Sequence, residues 1–325
     1  MTKNSHIEST YSDISIGISS CLLGRKVRFD AGHKHDRYVT DILGLFVKFV
    51  PVCPEIEVGM GVPRESVRLA GDPKDPRMIG SRSGEDWSMR MNSYSLRRVK
   101  QKDLSDLSGF IPKNRSPSCG MERVKVYINL DTVERKGTGL FASALLARFP
   151  DLPIEEEGRL TDAGLRENFI ERVFAYNRLR NLFAETYSRG TMVTFHTNHK
   201  FLLLAHSPEY YRKLGKLVAR IKEVSHNQFK KEYRTLFMQA LRFKATTKKN
   251  TNVLQHLAGF LKNYLASSEK DDLHSAIEDY HNSLVPLVVP ITLLRHFISK
   301  YDIEYVSSQY YLNPHPKELL LRNHV

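Results

Sequence analysis

The chain has few of the features that would assign it quickly. Its 325 residues include only three cysteines and a single tryptophan. No run of about eighteen apolar residues occurs, so no membrane-spanning helix is expected. The most apolar stretch, Ser283 to Leu294, is short and interrupted by Pro286 and Pro290, and reads as a buried segment with a kink or break. There is no Gly-x-x-x-x-Gly-Lys-Ser/Thr phosphate loop and no Gly-x-Gly-x-x-Gly turn opening a helix. Gly137-Thr138-Gly139 alone is weak, so ATP or NAD chemistry is not indicated and no nucleotide cofactor is expected. The peptide Met1 to His6 has no apolar core of a secretory signal, and a cytoplasmic address is the expectation. An odd number of cysteines there argues against a disulfide framework and leaves metal binding, catalysis or inert packing. No internal repeat or low-complexity tract is present.

What is abundant is positive charge. The formal net charge is +13, and it is unevenly spread. Residues 1–160 carry 25 Lys and Arg against 21 Asp and Glu, while residues 161–325 carry 24 against 15. Within the second half, Arg212 to Lys249 holds twelve basic residues against Glu223 and Glu232. Such a stripe suggests a polyanion, since Lys and Arg that neutralise phosphates gain affinity by releasing counterions. Lys230, Lys231, Arg234, Lys248 and Lys249 are the candidate RNA contacts, weighed against the plainer reading of a solvated helix face.

A 41% hydrophobic fraction fits one or two globular domains. In the first half, short apolar runs at Ile14–Ile18, Gly44–Val52 and Leu107–Ile111 predict buried strands, with helical patterns near Ser93–Leu107 and Phe141–Phe149. The expected fold is a Rossmann-like α/β domain with a largely parallel sheet over residues 1–158. The acidic, Pro- and Gly-containing segment Leu152–Leu160 reads as a linker. Beyond it, Leu165, Phe169, Val173, Phe174 and Tyr176, and again Leu214, Leu217, Val218 and Ile221, recur at helical spacing, which predicts an all-α domain over residues 159–325.

The three cysteines occupy loop-like peptides, Ser20-Cys21-Leu22-Leu23-Gly24, Val52-Cys53-Pro54-Glu55 and Ser116-Pro117-Ser118-Cys119-Gly120. Parallel sheets bind ligands beyond the carboxyl ends of their strands, so thiols that follow predicted strands can converge. Three thiolates could hold an iron–sulfur cluster with one iron free of protein ligands. Cys21 is followed by Arg28, Asp30 and Lys34, which could orient a polar substrate. Glu55, two residues from Cys53, is the natural proton handler. Ser116 and Ser118 could position water or a substrate carbonyl, and spacing alone does not rank one over the other. Asp86 belongs to a further polar loop, Ser81–Ser88, in which Trp87 reads as core filling more than as a base-stacking ring. His196 and His199, three residues apart, read as helix packing or phosphate contacts rather than as metal ligands.

In order and with their neighbours, the three cysteine motifs resemble the thiouracil and tRNA thiouridine desulfidase family. The run from Leu152 onwards resembles the YbgA-like helical domain found fused to it, through Glu155–Leu160, Leu165–Phe169, Phe195–Lys200, Asn252–Leu257 and Pro314–Leu319. The resemblance implies a [4Fe–4S] cluster on Cys21, Cys53 and Cys119, with Glu55 and Ser116 in catalysis. Arg28, Asp30, Ser118 and Asp86 are the candidate substrate contacts. Fused members look like tRNA thiouridine desulfidases, and the expected reaction is removal of sulfur from tRNA 4-thiouridine, or from 2-thiouridine or thiouracil, in a redox-neutral hydrolysis. Arg28-Phe29-Asp30-Ala31-Gly32 departs from the family pattern, where tyrosine and a second glycine are more usual. The alternatives are a tRNA thiolation enzyme, disfavoured by the missing phosphate loop, and an RNA-binding module with structural cysteines.

Overall fold

The computed structural model describes residues 14–129 and 131–324, so the amino-terminal hexapeptide lies outside the described residues. The chain divides into two compact units, Met1–Thr161 and Asp162–Val325.

The first unit runs β1 (Ser15–Ser19), β2 (Lys48–Val52), α1 (Pro54–Glu57), β3 (Val67–Asp72), β4 (Asp75–Gly80), α2 (Ser88–Arg98), α3 (Lys102–Ser105), β5 (Gly109–Ile111), β6 (Val124–Tyr127), β7 (Val133–Gly137) and α4 (Leu140–Arg148). Strands β2, β1 and β5 form one wholly parallel sheet in that order. Ile16 and Ile18 of the central strand are fully buried, as the continuous apolar run predicts. Gly17 between them is required by packing, because a Cβ there would lie 2.2 Å from the ring of Phe110 on β5.

A second sheet, β4-β3-β6-β7, is mixed: β3 pairs antiparallel with β4 and parallel with β6, and β6 pairs antiparallel with β7. Sequence reading does not find it, because its strands are short and charged residues interrupt their apolar positions, as in Val124-Lys125-Val126. The expected helix over Ser93–Leu107 is instead two pieces, α2 and α3. The expected linker is also corrected. Ile154 bridges to Phe110 beside β5, Glu155 and Glu156 are buried, and Glu156 accepts the Met121 amide at 2.9 Å. Leu152–Leu160 therefore packs into the first unit, its carboxylates spent on internal partners.

The second unit is helical: α5 (Ala163–Asn181), α6 (Arg189–His206), α7 (Pro208–Ala219), α8 (His226–Arg242), α9 (Thr247–Leu261), α10 (Ser267–His281), α11 (Val288–Lys300) and α12 (Glu304–Ser307). Side chains of Asp162, Ser188, Ser207, Ser225 and Thr246 cap α5 to α9 by accepting an amide of the first turn. The core includes Phe229, Tyr233 and Phe237, one turn apart on α8 and stacked at 5.7 Å. Pro286 precedes α11 and Pro290 lies in its first turn, where no amide is needed, so the expected kink is a helix start.

His196 and His199 are both buried. His196 Nδ1 lies 3.1 Å from the Tyr233 hydroxyl, while His199 donates from Nδ1 to the Phe195 carbonyl at 2.7 Å and accepts from Arg178 at Nε2. They are interior packing groups, as expected from their surroundings, and not phosphate contacts. Among the described residues, no helix is long and apolar enough to cross a membrane.

Candidate active site

The parallel sheet carries its cysteines to one end. β1 leads into a 3₁₀ turn, Ser20–Leu23, that holds Cys21, and this turn closes on Gly24 in the left-handed conformation. β2 ends one residue before Cys53, which caps α1, with Pro54 at the first helical position. Cys119 lies on the loop between β5 and β6. All three thiols line a single cavity of about 350 Å³ together with Glu55, Ser116 and Ser118.

Two supports fix the loops. The Cys53 amide donates to Glu57 Oε1 at 2.9 Å, and Glu57 Oε2 accepts from the Tyr94 hydroxyl at 2.7 Å and from Arg98 at 3.3 Å. Arg98 is in turn held by Asp103 through two bonds of 2.7 Å. On the other side, the first amides of α4 are spent on the cysteine loop. Leu140 N donates to the Pro117 carbonyl, and Phe141 N and Ala142 N to that of Ser118, at 3.0 to 3.1 Å. Gly139 makes this approach possible, since a Cβ there would fall 2.5 Å from the Ser118 carbonyl. The weak Gly137-Thr138-Gly139 signal thus serves the cysteine loop.

Glu55 sits at the centre of the polar wall. Its Oε1 accepts the Ser118 hydroxyl at 2.7 Å, and its Oε2 is paired with Arg64, whose side chain is only 7% exposed. Ser116 Oγ lies 3.0 Å from Ser118 Oγ and accepts the Cys119 amide at 3.1 Å, so it reaches Glu55 through Ser118. Arg64, Glu57 and Tyr94 were not picked out from the sequence. Arg64 stands behind Pro63 in a peptide with no recognisable spacing, and only tertiary contact shows its use.

The candidate substrate contacts divide. Arg28 and Ser118 line the cavity. Asp30 does not line it. It is half exposed, 3.3 Å from Arg28, and the Gly32 amide lowers its pKa. Asp86 lies elsewhere, on the turn before α2. It accepts from the Ser88 amide at 2.9 Å and from Arg77 at 2.7 Å, and its hydrogen bonds with Ser88, ahead of Arg77, pull its pKa down to about 2. With its oxygens engaged outside the cavity, Asp86 is not placed to bind a substrate there.

Burial pushes the Cys21 thiol up to about 11, reinforced by Cys53, and raises Cys53 and Cys119 as well. Such thiols are held as thiolates only if positive charge joins them, which a metal supplies by displacing their protons. Three thiols on three separate loops around one cavity suit a multi-iron group in which each cysteine takes its own iron. Arg28, Lys34, Arg64, Lys113 and Arg115 line the cavity against the single carboxylate Glu55, a balance suited to thiolates.

In the helical unit, Lys231, Arg234 and Lys248 are exposed. Lys230 and Lys249 are less available. Lys230 donates to the Phe183 carbonyl at 2.9 Å and sits 4.2 Å from the Tyr187 ring centre, and Lys249 donates to the His206 carbonyl at 2.7 Å.

Both halves of the chain have matches among known proteins. Residues 16–157 match the 2-thiouracil desulfurase family, and residues 200–316 match a family described as a protein of unknown function, DUF1722. The uncharacterized protein YbgA of Escherichia coli (strain K12) is 31% identical over 158 residues, covering 48% of this chain and 94% of that protein. A solved structure titled [4Fe-4S]-dependent thiouracil desulfidase TudS is similar at a TM-score of 0.38 and 24% identity, over 47% of this chain and 97% of that one. The chain therefore belongs to the YbgA family, and ahead of its helical half it carries a segment that matches the 2-thiouracil desulfurase family.

Proposed function

We propose that the protein is a [4Fe–4S]-dependent desulfidase that converts thiolated uridine in tRNA, 4-thiouridine in the first instance, to uridine and sulfide. The observation that carries this reading is the convergence of three thiols, two buried and that of Cys53 partly so, with Glu55, Ser116 and Ser118 on one cavity. Cys21, Cys53 and Cys119 would hold the cluster, which supplies a Lewis-acidic iron with affinity for the sulfur of a thiocarbonyl.

The remaining work falls to this chain's side chains. Glu55 takes a proton from the attacking water, directly at Oε1 or through the Ser118 hydroxyl, while Arg64 holds the other oxygen still. Ser116 keeps the Ser118 hydroxyl and the Cys119 amide in register. Water adds its oxygen to the thiocarbonyl carbon and the carbon–sulfur bond breaks, so the reaction is a hydrolysis and needs no electron donor. A nucleobase enters such a pocket only after leaving its stack, at a cost of a few kcal/mol that phosphate contacts offset. The exposed cations of the helical unit would supply those contacts.

The test is anaerobic incubation of cluster-reconstituted protein with thiolated tRNA and with free 2-thiouracil, measuring sulfide and nucleoside composition. Loss of 4-thiouridine without added ATP is expected. A Cys53→Ala variant that kept full activity and full iron content would sink the assignment.

A further inference from the structure

The helical unit contains a polar constellation that RNA binding does not require. Glu167 and Glu171, one turn apart on α5, line a second cavity of about 350 Å³. Arg322 donates to Oε1 of each, at 3.2 Å to Glu167 and 2.7 Å to Glu171. His206 Nε2 lies 3.0 Å from Glu171 Oε2, and His324 Nε2 lies 3.4 Å from Glu167 Oε2. A buried network of this kind is expensive to assemble and adds little net stability over an apolar core.

One member is left over. His315, between Pro314 and Pro316, donates from Nδ1 to the Pro316 carbonyl at 3.1 Å, which leaves a lone pair on Nε2. That Nε2 is buried and has no hydrogen-bond partner. Yet one donor atom each from His315, Glu167 and Glu171 lie within 4.8 Å of one another.

We propose that Glu167, Glu171 and His315 form a site for a divalent cation, independent of the cysteine cavity. Ligands at about 2.0–2.2 Å from one ion are at most about 4.4 Å apart, so closure requires movements of only a few tenths of an ångström. Two carboxylate oxygens and one imidazole nitrogen select a first-row divalent ion in the Mn²⁺ to Zn²⁺ range over a thiophilic one. An Nδ1–H bonded to a backbone carbonyl is the usual support of a ligating histidine, and Arg322 and His206 orient the carboxylates from behind. Because both carboxylates line the cavity, an oxygen-bearing ligand or water can reach the ion from it.

The experiment titrates cluster-loaded full-length protein with Mn²⁺, followed by loss of the free-ion EPR signal, and with Zn²⁺, followed by calorimetry. Binding of one ion per chain is expected, with an upward shift in the melting temperature. His315→Ala and His315→Gln should each weaken binding by about tenfold or more, with metal-free melting curves matching the parent. Absence of saturable binding of either ion, or unchanged affinity in both variants, overturns the proposal.

Discussion

Ser118 donates its hydroxyl proton to Glu55 Oε1 at 2.7 Å, joining the second and third cysteine motifs across 63 positions of sequence. Ser116 touches Ser118 and reaches Glu55 through it. If proton transfer through this pair contributes the usual hundredfold or more, Ser118→Ala lowers kcat by about 10². Ser116→Ala, one step removed, costs about tenfold. Sulfide release under anaerobic single-substrate conditions checks the order, and a larger loss at Ser116 would reverse the roles.

Gly139 faces the peptide of Ser118, and its replacement tests how the Cys119 loop is held. In Gly139→Ala the new Cβ falls 2.5 Å from the Ser118 carbonyl, so α4 or the loop must shift. Overpacking of this kind costs about 1–3 kcal/mol. The expected result is a lower melting temperature and reduced iron per chain after reconstitution. Undiminished iron content would show that the loop tolerates the displacement.

The buried imidazole of His196 makes stability depend on pH. Burial, ahead of the nearby Lys200, pulls its pKa from 6.5 down to about 4. Between those values the unfolded chain binds a proton that the folded chain refuses, so stability falls as pH drops through about 6.5 to 4, and below that this contribution is fully lost. The shift corresponds to about 3 kcal/mol at most. In His196→Gln, where the amide can still meet the Tyr233 hydroxyl, the melting temperature should fall less steeply over that window. Identical slopes for the two proteins would count against a neutral buried His196.

Phosphate contact by the helical unit predicts a substrate-dependent defect. Reversing charge at Lys231, Arg234 and Lys248, all exposed, should weaken turnover of thiolated tRNA and flatten its salt dependence while sparing free 2-thiouracil. Lys230 is left out because its ammonium is tied to the Phe183 carbonyl, and its loss would disturb packing. Equal loss on both substrates would indicate misfolding.

Much of this was legible from local pattern. The apolar run that ends near Cys21 marks the central parallel strand because both its faces are buried, and the run before Cys53 marks the half-buried edge strand beside it. The helical spacing of Leu165, Phe169 and Val173 marks α5 for a similar reason. The second sheet and the packed acidic segment were not legible, because their short strands and carboxylates are satisfied by partners distant in the chain.

The residue sequence by itself determined which groups were available: three thiols at turn positions, one glutamate beside the second, two serines before the third, and a basic helical half. Tertiary structure alone decided which serine meets Glu55, that Asp86 is engaged elsewhere, that Arg64 holds the carboxylate, and that Glu167, Glu171 and His315 meet at all. Hydrogen bonds and coordination act over about 3 Å, whereas Ser118 lies 63 residues from Glu55, His315 lies more than a hundred from Glu167 and Glu171, and even Arg64, nine residues from Glu55, meets it only across a turn. Only the folded path of the backbone closes that gap.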